Sequence, residues 1–275
     1  MKIAFWSNVR GKSCVTSNLA CMSVLSALDC PDRRTIVFEN HQNILNLGSI
    51  YYRPYSNTVS EKTNYNVKTG LEKIFQIVEQ GGMFPQERFY HFARDFLNRQ
   101  LFYFSTESIP SAEMLEYHLS QKCKNTLHFL EQYGDLVFVD TKAASLMSSR
   151  KILQEADIVV VNLIQNESIL SHFFKNFTEI QKKAFYIIGN YEENRSLNQG
   201  VIMEKYHIPQ NQIGMIPHCC EYADALSNGC LIPFLSENYG CGIQNHNYPF
   251  IAAAQRTKQL LIEQIAEKRK EGGSA

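Results

Sequence analysis

The chain has 275 residues, 44% of them hydrophobic and 20% charged, with 27 Lys plus Arg balancing 27 Asp plus Glu. That length can build one large core, and the zero balance excludes a general electrostatic pull toward nucleic acid or acidic lipid, leaving only local patches. The eight cysteines form no CxxC pair and bracket no short turn-rich loops, which argues against a disulfide framework and for reduced thiols. The adjacent Cys219-Cys220 does not by itself supply the tetrahedral ligand set that zinc wants.

In chain order, Ile3–Trp6 reads as a short buried strand, too brief for the apolar core of a signal peptide. No window reaches the ~18 apolar residues of a membrane span, so a cytoplasmic protein is expected. From Lys12 the run KSCVTSNLACMSVLSAL places Val15, Leu19, Met22 and Leu25 at helical spacing, and Cys30-Pro31-Asp32 ends it. Thr35–Phe38 reads as a second strand, giving a βαβ start. From about residue 48 to 120 the pattern weakens. Helix-like pieces at Gly70–Gln80 and Gln86–Leu97, punctuated by Gly81-Gly82 and Pro85, predict an insertion over about residues 50–115 rather than a second domain. Four further apolar runs, Leu136–Val139, Ile158–Val161, Ala184–Ile188 and Gln212–Ile216, alternate with periodic stretches at Leu146–Glu155, Ser168–Lys182 and Leu197–Tyr206. Unbroken Val/Ile runs alternating with helices predict a mostly parallel sheet covered on both faces, joined by right-handed crossovers. A last helix is expected over about residues 250–270, followed by the frayed tail GGSA. The whole reads as one α/β domain spanning residues 1–275.

The segment Ser7-Asn8-Val9-Arg10-Gly11-Lys12-Ser13 sits between the first strand and the first helix, the context that a phosphate loop needs. Amides at a helix N-terminus and the helix dipole favour an anion there. Gly11 allows close approach, Lys12 can reach β and γ phosphates, and Ser13 can ligate Mg²⁺. Trp6 stands where the G-x-x-x-x-G-K-[ST] pattern has its first glycine.

These residues resemble the deviant-Walker ATPases of the ParA/MinD group, whose loop reads K-G-G-x-G-K-[ST]. The likeness continues through Thr16–Ala20, through Gly134–Thr141 (GDLVFVDT, similar to the family strand ending in an aspartate near Mg²⁺), and through Ala156-Asp157 before the next strand. Asn190 is similar to the family's adenine-contacting asparagine. Pro217, followed by Glu221–Ala225, resembles the loop lining the base. The resemblance implies a three-layer P-loop fold, ATP with Mg²⁺ as cofactors, and a homodimer around them. It places Asn8, Val9, Arg10, Gly11, Lys12, Ser13, Cys14, Asn190 and Pro217 at the nucleotide, and Ser13, Asp140 and Glu39 near the metal. Three departures bear on turnover. Ser7 replaces the lysine that reaches a partner's phosphates, and Asn8 and Val9 replace two flexible glycines. Glu39-Asn40-His41 stands where D-x-D is usual. With Lys12 and His41 as the candidate catalytic groups, binding is expected to survive better than hydrolysis, because phosphoryl transfer needs charge on the transition state.

Degenerate loops of this kind are similar to those of the TadZ/CpaE-like branch, which implies a protein partner in Tad/Flp pilus secretion. With the loop this near the start of the sequence, the N-terminal receiver-like domain common in that branch is not expected here. The alternatives are a partition-type ATPase binding nonspecific DNA, or a pseudo-ATPase scaffold. The last helix carries Ile251, Gln255, Lys258, Leu261, Ile262 and Ile265 near one stripe and ends in Lys268-Arg269-Lys270. It reads as docked on the sheet, with membrane association as the other expectation. The aromatic stretch (Tyr51, Tyr52, Tyr55, Phe89, Tyr90, Phe92, Phe96, Phe102, Tyr103, Phe104) reads equally as core or as partner surface.

Overall fold

The computed structural model describes residues 1–52, 70–81, 84–142 and 146–273. Tyr55, Gly82 and the terminal Ser274-Ala275 lie outside the described residues. Eight strands are β1 (Lys2–Trp6), β2 (Thr35–Glu39), β3 (Arg94–Phe96), β4 (Leu101–Phe104), β5 (Leu136–Asp140), β6 (Ile158–Leu163), β7 (Ala184–Tyr191) and β8 (Ile213–Pro217). They form one sheet in the order β3-β4-β2-β5-β1-β6-β7-β8. Among the described residues every pairing is parallel except β3 with β4. The inner strands are buried on both faces, as in β5 (LVFVD) and β6 (IVVVNL), which is why they are apolar throughout rather than alternating.

The helices are α1 (Val15–Asp29), α2 (Leu47–Tyr51), α3 (Gly70–Gln80), α4 (Gln86–Phe89), α5 (Ala112–Glu131), α6 (Met147–Glu155), α7 (Glu167–Asn176), α8 (Thr178–Gln181), α9 (Gln199–Tyr206), α10 (Cys220–Ser227), α11 (Leu231–Asn238) and α12 (Tyr248–Gly273). One core, with Phe104, Leu119, Val139 and Phe173, lies under α3–α7 and α9. The other, with Phe5, Leu25, Phe138 and Leu261, lies under α1, α2 and α10–α12. The result is the expected three-layer α/β fold.

Three elements differ from the sequence expectation. The first helix starts at Val15, not Lys12, because Cys14 adopts a left-handed backbone (φ 55°, ψ 31°) that cannot continue a right-handed helix. The periodic stretch Gln86–Leu97 stops as α-helix at Phe89 and, after a short 3₁₀ turn, becomes strand β3, paired to β4. The stretch Ser168–Lys182 breaks at Phe177 into α7 and α8. The aromatic region is woven into the sheet, since β4 is an inner strand between β2 and β3. Phe89, Phe102, Tyr103 and Phe104 are buried, which takes these four rings off any partner surface.

Helix α12 lies against β8. Its Ile251, Leu261 and Ile265 are buried, and Lys258, only 4% exposed, pairs with Asp29 at 2.8 Å. The apolar stripe is therefore used within the fold. Among the described residues no helix is long and apolar enough to cross a membrane.

Candidate functional site

In open α/β sheets ligands gather at the carboxyl ends of the strands, and here the segments after β1, β2 and β5 converge there. After Trp6 the chain turns inward at the fully buried Ser7, whose Oγ accepts from the amide of Val9 at 3.4 Å. It then turns through Gly11 (φ +74°) and Cys14 (φ +55°). Glycine takes that backbone freely, whereas at Cys14 it costs on the order of 1–2 kcal/mol. Helix α1 follows with no side-chain cap, because a thiol offers the first amides no oxygen. Its unclaimed N–H groups and the positive end of its dipole face the loop. The neighbouring strand β7 comes close only because residue 189 is glycine: a Cβ there would lie 2.8 Å from Asn18 Nδ2 and 3.1 Å from Cys14 Cβ. Buried Asn18 donates to Asn162 Oδ1 at 2.8 Å, and Asn162 donates to the carbonyl of Trp6 at 3.2 Å, tying α1, β6 and β1 together beneath the loop.

These segments enclose a cavity of about 380 Å³, lined by residues 9–17, by His41, Asn43 and Leu45, and by residues 140–142. Arg10, Gly11 and Lys12 are exposed at its mouth. Among the described residues neither Arg10 nor Lys12 has an ion-pair partner. Asp140 is the only carboxylate on the wall among the described residues, so the cavity is net basic. That balance suits a polyphosphate.

His41 Nε2 faces Asp140 Oδ2 at 3.1 Å, with both side chains nearly fully buried. The Asn43 amide donates to His41 Nδ1 at 3.4 Å, which leaves Nε2 as the proton-bearing nitrogen toward Asp140. Burial works against the imidazolium, but the hydrogen bond and charge of Asp140 outweigh it and raise the His41 pKa above its ordinary value. Glu39 is turned away from the cavity. Its Oε1 accepts from the Leu47 amide at the start of α2, and Oε2 has no partner among the described residues. Burial, with the nearby Asp140 charge adding and His41 opposing, pushes the Glu39 carboxyl up to about 8.

Asn190, the last residue but one of β7, has φ +49°, and its Oδ1 pairs with His218 Nδ1 at 2.9 Å. Pro217 sits in register opposite Tyr191. The two residues share the strand ends of β7 and β8, and neither is on the wall of the cavity. The structure thus brings Val9–Cys14, His41 and Asp140 to one cavity and leaves Asn8, Glu39, Asn190 and Pro217 off its wall. The Asn8 side chain instead donates to the carbonyl of Ile169 at 3.1 Å.

Sequence reasoning missed a staple. Asn40 accepts from the Lys142 amide at 2.6 Å and donates to Ser149 Oγ at 2.9 Å, while Ser149 Oγ donates to the carbonyl of Lys142 at 3.0 Å. Ser148 beside it is held by Glu116 of α5. This network binds the segment after β2 to the segment after β5. Its one sequence signal is the polar pair Ser148-Ser149 at the start of an otherwise amphipathic helix.

For Mg²⁺ the donor chemistry fits. Ser13 and Asp140 offer the hard oxygen donors the ion takes, and phosphate oxygens and water would complete the set. Ser13 lines the cavity with no hydrogen-bond partner for its hydroxyl among the described residues.

Sheet order, loop and cavity together define an α/β protein of the P-loop type. No protein-family model matches the chain, and no curated protein matches it in sequence. Among solved structures, the chain is similar to a ParA family ATPase from Chlorobium tepidum TLS (TM-score 0.67, 13% identity, covering 94% of this chain and 96% of that one). It is similar to the septum site-determining protein MinD from Pyrococcus horikoshii OT3, solved with Mg-ADP (TM-score 0.67, 12% identity, 97% and 98% covered). A third similar structure is a putative plasmid partition protein from Borrelia burgdorferi B31 bound to AMPPNP (TM-score 0.59, 13% identity, 96% and 98% covered). The chain therefore has the ParA/MinD-like fold over nearly its whole length.

Proposed function

We propose that this chain is an ATP-binding, deviant-Walker ParA/MinD-like protein that hydrolyses its nucleotide slowly or not at all and acts in positioning or assembling a cellular machine. The observation that carries the reading is the uncapped N-terminus of α1 opening into a basic cavity, with Arg10 and Lys12 at its mouth free of ion pairs among the described residues. Amides of residues 15–17 and the Lys12 ammonium would hold the phosphates. Ser13 and Asp140 would hold Mg²⁺, which when bound neutralises phosphate charge. The Mg-ADP and AMPPNP in two structures of the same fold support that assignment.

Slow turnover follows from what the wall lacks. Asp140 is its only carboxylate among the described residues, and one of its oxygens is engaged by His41. Among the described residues no second carboxylate on the wall is placed to orient water, and a histidine engaged with Asp140 does not replace it. Ile44 (97% exposed) and Leu45 (55% exposed) stand beside the mouth, apolar surface that a second copy would cover on forming a nucleotide-bound dimer. The degenerate loop supports a protein partner of the Tad/Flp pilus secretion kind, as in the TadZ/CpaE-like branch. Association with a membrane through α12 has only its basic end to draw on, since the apolar stripe is buried.

Two assays test this. ATP with Mg²⁺ is expected to raise the unfolding temperature, because a ligand of the native state stabilises it. Steady-state turnover at or above ~1 s⁻¹, the low end of ordinary enzyme rates, contradicts the slow reading.

A further inference from the structure

The other side of the same loop borders a larger hollow. A cavity of about 710 Å³ opens between α6, α8 and the end of β1, within the roughly 300–1,000 Å³ that accommodates a small organic ligand. Its wall is mostly apolar, built on Trp6, Leu153, Phe177 and Ile180. The indole of Trp6 packs on Phe177 with ring centroids 5.1 Å apart.

The polar groups at its rim are unevenly committed. Arg150 is exposed and has no ion-pair partner among the described residues. Lys183 is held in place by the carbonyls of Gln154 (2.9 Å) and Ala156 (2.7 Å) and keeps its charge uncompensated by any ion pair among the described residues. Glu179, the only acid on the wall among the described residues, is already paired with Lys182 at 2.7 Å. An apolar floor thus lies under a rim with excess positive charge. On the loop side, Trp6 Nε1 and Asn8 Oδ1 are buried without partners among the described residues, a condition that costs on the order of 1–3 kcal/mol per atom. This wall gains more than the rest from a ligand that brings polar atoms with it.

We propose that this cavity is a binding site for a small amphipathic organic anion. Its carboxylate or sulfonate meets Arg150 and Lys183, and its aromatic or acyl body packs on Trp6, Leu153, Phe177 and Ile180. The ligand shares the Ser7-Asn8 segment with the phosphate loop but not the phosphate cavity, so the site stands whether or not ATP binds.

Trp6 is the only tryptophan of the chain, and its emission reports this cavity directly. The test is titration of the whole protein with 8-anilinonaphthalene-1-sulfonate, following energy transfer from Trp6. Saturable transfer at one probe per chain is expected, displaced by decanoate. Arg150→Gln is expected to weaken binding roughly fivefold, about 1 kcal/mol at 1.4 kcal/mol per decade. Ile180→Asp, which sets a carboxylate among the lining groups, is expected to abolish it, with circular dichroism confirming the fold of both variants. The uncharged N-phenyl-1-naphthylamine is expected to bind more weakly than the sulfonate. Absence of saturable transfer overturns the assignment. So does equal affinity of wild type, Arg150→Gln and Ile180→Asp.

Discussion

The strands of the two flanks differ in what they carry. On the β6–β7–β8 side aliphatic runs, Ile158–Val161 in β6 and Ile187-Ile188 in β7, are visible as such in the sequence, and the rings of that side, Phe173, Phe174 and Tyr186, pack between α7 and β7. On the β4–β3 side the layer is filled by rings: Phe89 stacks on Tyr133 at 3.9 Å and Tyr90 on Phe102 at 4.1 Å, with Phe104 fully buried beside them. Aliphatic strands declare burial by composition, because Val and Ile have little other use in such runs. Aromatic stretches do not, because the same rings serve interfaces. Which of the two an aromatic run is depends on which strand it pairs with, and LFYF pairs with β2.

The sharpest way to break this comparison is Phe104→Ala. If the aromatic flank is core, the variant loses ~3–5 kcal/mol in urea unfolding, the range for a large buried ring. A loss under 1 kcal/mol would return the region to the surface. Next in size is the staple joining the segments after β2 and β5 at the site. Asn40→Ala leaves the Lys142 amide unpaired and is expected to cost ~1–3 kcal/mol in the same assay.

A third prediction concerns pH. The folded pKa of Glu39, about 8, lies above the ordinary carboxylate value of 4.5, so the folded state binds the extra proton between them. Its contribution is complete below pH 4.5 and is lost as pH rises toward 8, at up to ~1.4 kcal/mol per pH unit. The raised pKa of His41 acts in the same direction from pH 6.5 upward. Glu39→Gln keeps an acceptor for the Leu47 amide and is expected to flatten this decline in melts at pH 5 and pH 8.5. An unchanged slope would mean that Glu39 does not titrate there. The smallest effect is expected at Tyr117, 63% exposed on α5. Tyr117→Ala is expected to stay within ~0.5 kcal/mol of wild type, which separates an exposed ring from the buried ones.

Much of the fold was legible in the sequence because the βαβ start and the Val/Ile runs obey the period and length rules of buried parallel strands. The left-handed Cys14 was not legible, since no local rule puts a non-glycine residue in that conformation and the helical spacing around it continues unbroken. Strand β3 was hidden because Arg94–Phe96 is an edge strand of three residues whose flanks look helical. At the site, the loop could be read from its place between a strand and a helix, whereas Asp140 was suggested only by the resemblance of its strand to the ParA/MinD group. The roles of Glu39 and Asn40 could not, because they depend on contacts with residues far along the chain or on another element, as Asn40 does with Ser149, 109 positions away.

The central claim is that the loop from Val9 to Ser13 and the start of α1 hold a polyphosphate. Isothermal titration of the protein with ATP and Mg²⁺, set beside Lys12→Ala, tests it most directly. The account predicts one nucleotide per chain and at least a tenfold loss in the variant, the ~1.4 kcal/mol or more carried by a charged hydrogen bond. No binding by wild type, or equal binding by both proteins, would contradict it.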